Sequence, residues 1–349
     1  MTVVHQLLPA ASPNDAVTNQ AFAWRDLLTE WGHDGLIVAE HVHPDVSSEV
    51  LRLDKVRKEL NNGKVILRYS IYSKTADVAR AEPARVGLVY HNITPGKYLR
   101  PYNQAVADLC DQGRQALASF GPPPAVLIAD SSFNAADLRE AGLGDAEVIP
   151  LLLDVPTRAP RNARHGDPIV LTVGRVVPNK RIDDVIKAFA LYQRHRAPEA
   201  SLAIVGSHVG FENYRLALDR LVEKIGVDRV FFTGPISGAA RNAWYRRAHA
   251  YLSMSVHEGF CAPLIEALSH GTPVVARAAG AMPETLGSAG IVLEGDDLPL
   301  VAEALHEVVS SESTRLALAA AADERLAELS PEAIAPRIRR TLAPLLEES

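Results

Sequence analysis

Glu258 and Glu266 are separated by seven residues in the run His257-Glu-Gly-Phe-Cys-Ala-Pro-Leu-Ile-Glu266. Proline suits the first position of a helix, where its missing N–H costs nothing, so Pro263 marks the point where a loop becomes a helix. Gly271 and Pro273 mark where that helix stops. One carboxylate is then expected in the loop and the other about a turn inside the helix. The unbonded N–H groups of the helix start lie between them, placed to receive an anion. Two carboxylates that accept from hydroxyls beside an anion cradle are what a sugar nucleotide needs. A surface loop with one capping and one solvated glutamate would carry the same residues, so the rest of the chain has to decide.

A second group lies in Gly174-Arg175-Val-Val-Pro178-Asn-Lys180. Arginine offers a planar fork and lysine a mobile point charge, and across a proline turn the two can pinch a diphosphate. A solvated basic turn is the competing reading, and the Gly-x4-Gly-Lys-Ser/Thr pattern of a P-loop is absent. His91, in Tyr90-His-Asn-Ile-Thr-Pro95, follows an apolar strand and suits either a cleft residue that bonds a substrate hydroxyl or a buried structural histidine. Asn14, Asp15 and Ala16 precede the first helix, where N–H groups could face an anion and Asp15 by itself reads as an N-cap. Gly-x-Gly-x-x-Gly after the first strand, Gly-x-Ser-x-Gly and His-Glu-x-x-His do not occur, and no metal-ligand spacing stands out.

The elements that must carry these groups alternate regularly. In the first half, strands are expected over Val3–Leu8, Leu36–Glu40, Lys64–Tyr72, Val86–Tyr90, Ala125–Ala129 and Glu147–Leu153. Helices carry Val17, Ala21, Trp24 and Leu28, and then Gln104–Phe120. Residues 154–167, rich in Pro, Arg and Asn, read as a linker. In the second half, strands Ile169–Val173, Ser201–Val205, Val230–Phe232 and Ala250–Met254 each lead into a helix. Strands Pro273–Arg277 and Gly290–Leu293 and helix Leu298–Ser310 follow. Such alternation predicts doubly wound parallel sheets, one per half. Ligands sit at the carboxyl ends of strands in these sheets. Arg175, Gly206, Gly234 and Glu258 all fall just after strands and should therefore converge on one edge.

The 349 residues suggest about two domains, and 47% apolar with 22% charged residues is an ordinary globular composition. A net charge of -6 argues against nucleic acid as the main partner. Cys110 and Cys261 form neither a disulfide framework nor a zinc pattern. With no signal-peptide pattern and no apolar run of about 20 residues, a cytoplasmic protein is expected. The basic runs Tyr245-Arg-Arg247 and Arg337-Ile-Arg-Arg340 read as solvated helix faces, leaving at most weak membrane association.

Taken together, Gly174-Arg175…Pro178-Asn-Lys180, Glu258-Gly-Phe260…Pro263-Leu-Ile-Glu266-Ala and Gly271-Thr-Pro-Val-Val275 resemble the retaining glycosyltransferases of family 4. Val89-Tyr-His-Asn-Ile-Thr-Pro95 and Asp130-Ser-Ser-Phe-Asn134 are similar to bacterial mannosyltransferase-like hexosyltransferases of that family. The resemblance implies the α/β GT-B fold, two Rossmann-like domains with an interdomain cleft. Residues 1–155 would be the acceptor side and 156–330 the donor-binding domain, with the helix in 331–349 crossing back onto the first. It implies that Arg175 and Lys180 neutralise the donor diphosphate and that Glu266 accepts from the ribose. Glu258, with the backbone of Gly259, Phe260, Cys261 and Ala262, would hold the sugar, with Leu264 beside it. Gly206, Pro235 and Ile236 would lie near the base, Asp15 and Ala16 on the donor, and His91 on the transferred sugar. Loops Arg68–Lys74 and Thr94–Arg100 would line the acceptor pocket.

The expected reaction moves a hexose from a nucleoside diphosphate sugar, GDP-mannose first, to a glycan, lipid-linked or small-molecule hydroxyl, with no metal and no cofactor. A sugar-nucleotide epimerase and a non-catalytic nucleotide-sugar binder are the alternatives. Two departures stand out. The first loop, Pro9-Ala-Ala-Ser-Pro-Asn-Asp-Ala16, has no glycine, and Cys261-Ala262 stands where the family commonly has glycine.

Overall fold

The computed structural model of the chain describes residues 2–13, 15–155, 160 and 164–346. It forms two compact units, one of Met1–Gly96, Ala105–Asp154 and Leu329–Ser349, the other of Lys97–Gln104 and Val155–Glu328. Asn14 and half of the expected linker lie outside the described residues.

The first unit is built on a parallel sheet. Its strands are β1 (Val4–Ala11), β2 (Ile37–Val42), β3 (Leu51–Arg52), β4 (Lys64–Tyr69), β5 (Val86–Tyr90), β6 (Val126–Ala129) and β7 (Glu147–Val148), in the order 3-2-1-4-5-6-7. Successive residues of a strand face opposite sides, yet Leu7 with Leu8, Ile66 with Leu67, and Leu88 with Val89 are all fully buried. Both faces of the sheet are therefore covered, which is why these strands read as continuous apolar runs rather than alternating ones. The helix Pro331–Leu346 supplies part of that cover. Its Ile334, Ile338, Leu342 and Leu345 recur at helical spacing and pack into one cluster with Val89, Val126, Ile128 and Trp24.

The second unit repeats the plan with β8 (Ile169–Val173), β9 (Ser201–Val205), β10 (Val230–Gly234), β11 (Ala250–Ser253), β12 (Val274–Arg277) and β13 (Ile291–Leu293), ordered 10-9-8-11-12-13 and all parallel. The chain winds outward from β8 in one direction and from β11 in the other. The switch point between these two strands is where a crevice opens at the carboxyl edge.

Several elements differ from the sequence-based expectation. Glu147–Leu153 is strand only to Val148, because β7 pairs with β6 through two residues alone. Helices Lys74–Arg80, Ser132–Glu140 and Glu312–Glu328 were not anticipated. The last buries only Ala322 and Leu326, too sparse a stripe to register as a period. Arg68, expected in a loop, is a fully buried residue of β4, and the part of the expected first-domain loop Thr94–Arg100 from Lys97 onward groups with the second unit.

Candidate donor site

At the carboxyl end of β8 the chain turns sharply at Gly174 and passes against β9. Gly174 N–H bonds Val205 O at 2.9 Å, and Val176 N–H bonds Ser207 O at 2.8 Å. Gly206 has φ +144°, and a Cβ there would stand 1.9 Å from Gly174 O. Only glycine lets the two backbones come this close. Arg175 emerges from this turn exposed, its guanidinium 5.7 Å from the centroid of the buried Phe211 ring.

The short 3-10 turn Pro178–Lys180 is tied to the loop after β11. Val256 N–H donates to Asn179 O at 2.9 Å, and Asn179 Nδ2 donates to His257 O at 3.3 Å. These bonds bring Lys180 Nζ to 2.5 Å from Glu258 Oε1. Glu258 is only 8% exposed, so its charge is held in a dry site by a lysine. Burial works against the Lys180 ammonium, but Glu258 outweighs it and raises the lysine above its ordinary value. Lys180 is therefore a fixed cation at neutral pH.

The Glu258 loop is fixed from its other side by a segment that sequence reasoning missed. Gly280, at φ +56°, lies against it so closely that a Cβ would be 2.4 Å from Glu258 O. Ala281 N–H bonds that same oxygen at 2.9 Å, and Thr285 Oγ1 donates to Phe260 O at 2.6 Å. A lone glycine before Met282-Pro283 was the available signal, unreadable without knowing what packs on it.

The helix after this loop is Ala262–Ser269, so Ala262 rather than Pro263 is its first residue. Cys261 precedes it at φ +67°, the left-handed conformation that glycine adopts most easily. This accounts for the family's frequent glycine there and means that Cys261 carries backbone strain. Burial pushes its thiol far up, so it is no nucleophile. The expected cradle of free N–H groups is thin. Pro263 has none, and Leu264 N–H bonds Cys261 O at 3.0 Å. The Leu264 side chain is fully buried in the core.

Glu266 is half-buried one turn on, and both of its oxygens have partners. Tyr245 donates to Oε2 at 2.7 Å, and Arg241 lies 3.3 Å from Oε1. Burial and the adjacent Glu266 hold the Tyr245 phenol well above its ordinary value, so it stays a donor. Gly234, with Pro235 exposed and Ile236 half-buried after it, closes β10 beside Gly206 through an isolated bridge. Arg175, Gly206, Gly234 and Glu258 thus converge on one edge of the second sheet.

Larger hollows exist elsewhere in this unit. One of about 220 Å³ is lined by Arg164, Leu268, Arg315 and Leu318. They lie by the starts of strands, around Thr272 and Ile169, the wrong edge for a doubly wound sheet.

In the first unit, Asp15 caps the helix Ala16–Glu30, its Oδ2 accepting from Thr18 N–H and Thr18 Oγ1 at 2.8 Å each. The simple N-cap reading accounts for these bonds, and Ala16 is the first helical residue. His91 lies just past β5 with its side chain 3% exposed and Nδ1 2.8 Å from Asp130 Oδ2. The two first-half motifs turn out to be one network, in which Asn92 Nδ2 also donates to Asn134 Oδ1 at 2.8 Å and Tyr90 donates to Asp137 at 3.0 Å.

A family model described as "Glycosyl transferases group 1" matches residues 156–325. The match spans just under half of the chain and falls in the second unit, which therefore resembles this family, and the chain as a whole has the GT-B fold. Among the relatives of this chain is a GDP-mannose-dependent alpha-(1-6)-phosphatidylinositol monomannoside mannosyltransferase of Mycolicibacterium smegmatis. It is 31% identical over 171 residues, 45% of this chain and 43% of that protein. A D-inositol 3-phosphate glycosyltransferase of Frankia alni is 31% identical over 61% of this chain and 56% of its own length. The chain thus spans about half the length of the curated relatives it matches. Two solved GT-B structures match nearly end to end. Sucrose-phosphate synthase from Thermosynechococcus elongatus has a TM-score of 0.78 at 18% identity, covering 97% of this chain and 98% of that one. Anabaena HepE, solved in complex with UDP and glucose, has 0.78 at 17%, covering 98% and 100%.

Proposed function

We propose that this chain transfers a hexose from a nucleoside diphosphate sugar to an acceptor hydroxyl, with retention and without a metal. The observation that carries the reading is Lys180, fixed by Glu258 beside Arg175 at the β8/β11 switch point. Two cations there neutralise charge as it builds on the leaving diphosphate, and because they are already in place they need no reorganisation. The C1–O bond to the diphosphate breaks while the acceptor oxygen bonds C1 from the same face. The acceptor proton passes to a donor phosphate oxygen. With one oxygen on Lys180, Glu258 is a holder of cation and sugar hydroxyl rather than a base. Glu266 would take a ribose hydroxyl in place of, or beside, its Arg241 contact.

GDP-mannose is the donor to test first, supported by the similarity to the GDP-mannose-dependent mannosyltransferase of Mycolicibacterium smegmatis. UDP-glucose comes second, because HepE was solved with UDP-glucose and with its parts. The deciding experiment incubates the protein with a panel of nucleotide sugars and acceptors and follows release of nucleoside diphosphate. Binding of a donor with no turnover on any acceptor would reduce the protein to a nucleotide-sugar binder. Isomerised donor without acceptor would make it an epimerase. Activity is expected to survive EDTA, and abolition reversed by a divalent ion would contradict the metal-free mechanism.

A further inference from the structure

His91 and Asp130 meet because of sheet register. Tyr90 of β5 pairs with Ala129 of β6, so the next residue of each strand comes side by side at the carboxyl edge. His91 is held there by its N–H on Tyr69 O at 2.9 Å, and Asn92 follows in the left-handed region at φ +69°. The side chains of the pair are 3% and 2% exposed. Each nonetheless has one buried polar atom without a hydrogen-bond partner among the described residues, Nε2 of His91 and Oδ1 of Asp130. Buried polar atoms are rarely left unpaired, and those that are call for a functional explanation.

An ionised carboxylate can only accept, so the 2.8 Å contact requires the proton on Nδ1. The other ring nitrogen of a neutral imidazole is then an acceptor. A buried cation lies within electrostatic reach of Asp130. Arg68 is fully buried, forked onto Gln6 Oε1 at 3.0 and 2.7 Å, bonded to Gln20 Oε1 and stacked 4.7 Å from the Trp24 ring centroid. Those partners are all neutral. Burial draws the Arg68 pKa down to about 9, and Asp130 is the charge that pulls it back up.

We propose that Asp130 is a positioning residue for His91: it takes the Nδ1 proton and so commits Nε2 to accepting a hydrogen bond from a hydroxyl of the substrate. The identity of the hydroxyl as a sugar's rests on the transferase reading, whereas the tautomer does not. Asp130→Asn is nearly isosteric but can donate to Nδ1, which turns Nε2 into an N–H and sets donor against donor at the hydroxyl.

The test labels histidines with ¹⁵N in the full chain and assigns His91 by its loss in His91→Gln. Parent protein should show Nδ1–H with an unprotonated Nε2, and Asp130→Asn the reverse. With turnover measured on the donor found for the parent, Asp130→Asn should lower kcat/KM by about ten- to a hundredfold. The nucleoside diphosphate lacking the sugar should bind with parental Kd, which general structural damage would not spare. Nε2–H in the parent, or an Asp130→Asn protein with parental kcat/KM, overturns the proposal. If Asp130→Asn does not fold, the parent tautomer alone decides. Should the parent turn over no nucleotide sugar, the transferase reading fails while the ¹⁵N result still judges the role of Asp130.

Discussion

In each unit, side chains proposed to meet the donor are held by a hydrogen-bonding or oppositely charged partner. Lys180 has Glu258, Glu266 has Tyr245 and Arg241, and His91 has Asp130. Preorganisation of this kind is what makes an electrostatic contribution to a transition state large. Replacing Lys180 by Ala should lower kcat/KM by about 2–4 kcal/mol, the scale of one lost electrostatic donor. An unchanged rate would remove Lys180 from the diphosphate role. Glu266→Ala should act differently, raising the donor Kd by about 1–3 kcal/mol for a hydrogen bond to a charged group while kcat stays near parental. Isothermal titration with the donor separates the two, and a parental Kd would refute the ribose contact. The residue types that carry this chemistry were legible in the sequence because Arg, Lys and Glu beside glycine and proline turns have few other uses. The bonds that occupy them were not, since Tyr245 and Arg241 are 21 and 25 residues from Glu266 in the chain.

At the scale of elements, the site is a set of turns pressed against one another. The 3-10 turn at Pro178–Lys180, the Glu258 loop and the Gly280 segment form three layers, and the middle one carries the carboxylate. Gly280→Ala would force a side chain into a left-handed backbone and into Glu258 O at once. Strain of this kind costs about 1–3 kcal/mol, and relief requires moving the Glu258 loop. We expect a lower melting temperature together with weaker donor binding, read by thermal unfolding and titration. A variant unchanged in both would mean that the Gly280 segment does not hold the loop. Strand positions were visible beforehand because β8, β9 and β5 are short, mainly apolar runs followed by Gly or His. The helix Glu312–Glu328 was not, because it buries only two side chains along 17 residues.

Across the whole molecule, the last helix completes the core of the first unit, far from it in sequence. Leu342 is fully buried in the cluster that holds Trp24 and Val89. Leu342→Ala should cost about 2–5 kcal/mol of unfolding free energy by urea titration, and a loss under about 1 kcal/mol would contradict this packing. By itself, the sequence determined that the chain folds as alternating strands and helices in two parallel sheets. It also determined that cations and carboxylates end those strands, because both features follow from local period and residue type. Only the tertiary structure decided that Glu258 is the partner of Lys180, that Leu264 is core, that Gly280 braces the loop and that Asp130 sits on His91. Those pairings depend on which strands are neighbours and in what register, and register is fixed by packing over the whole sheet rather than by any local run of residues.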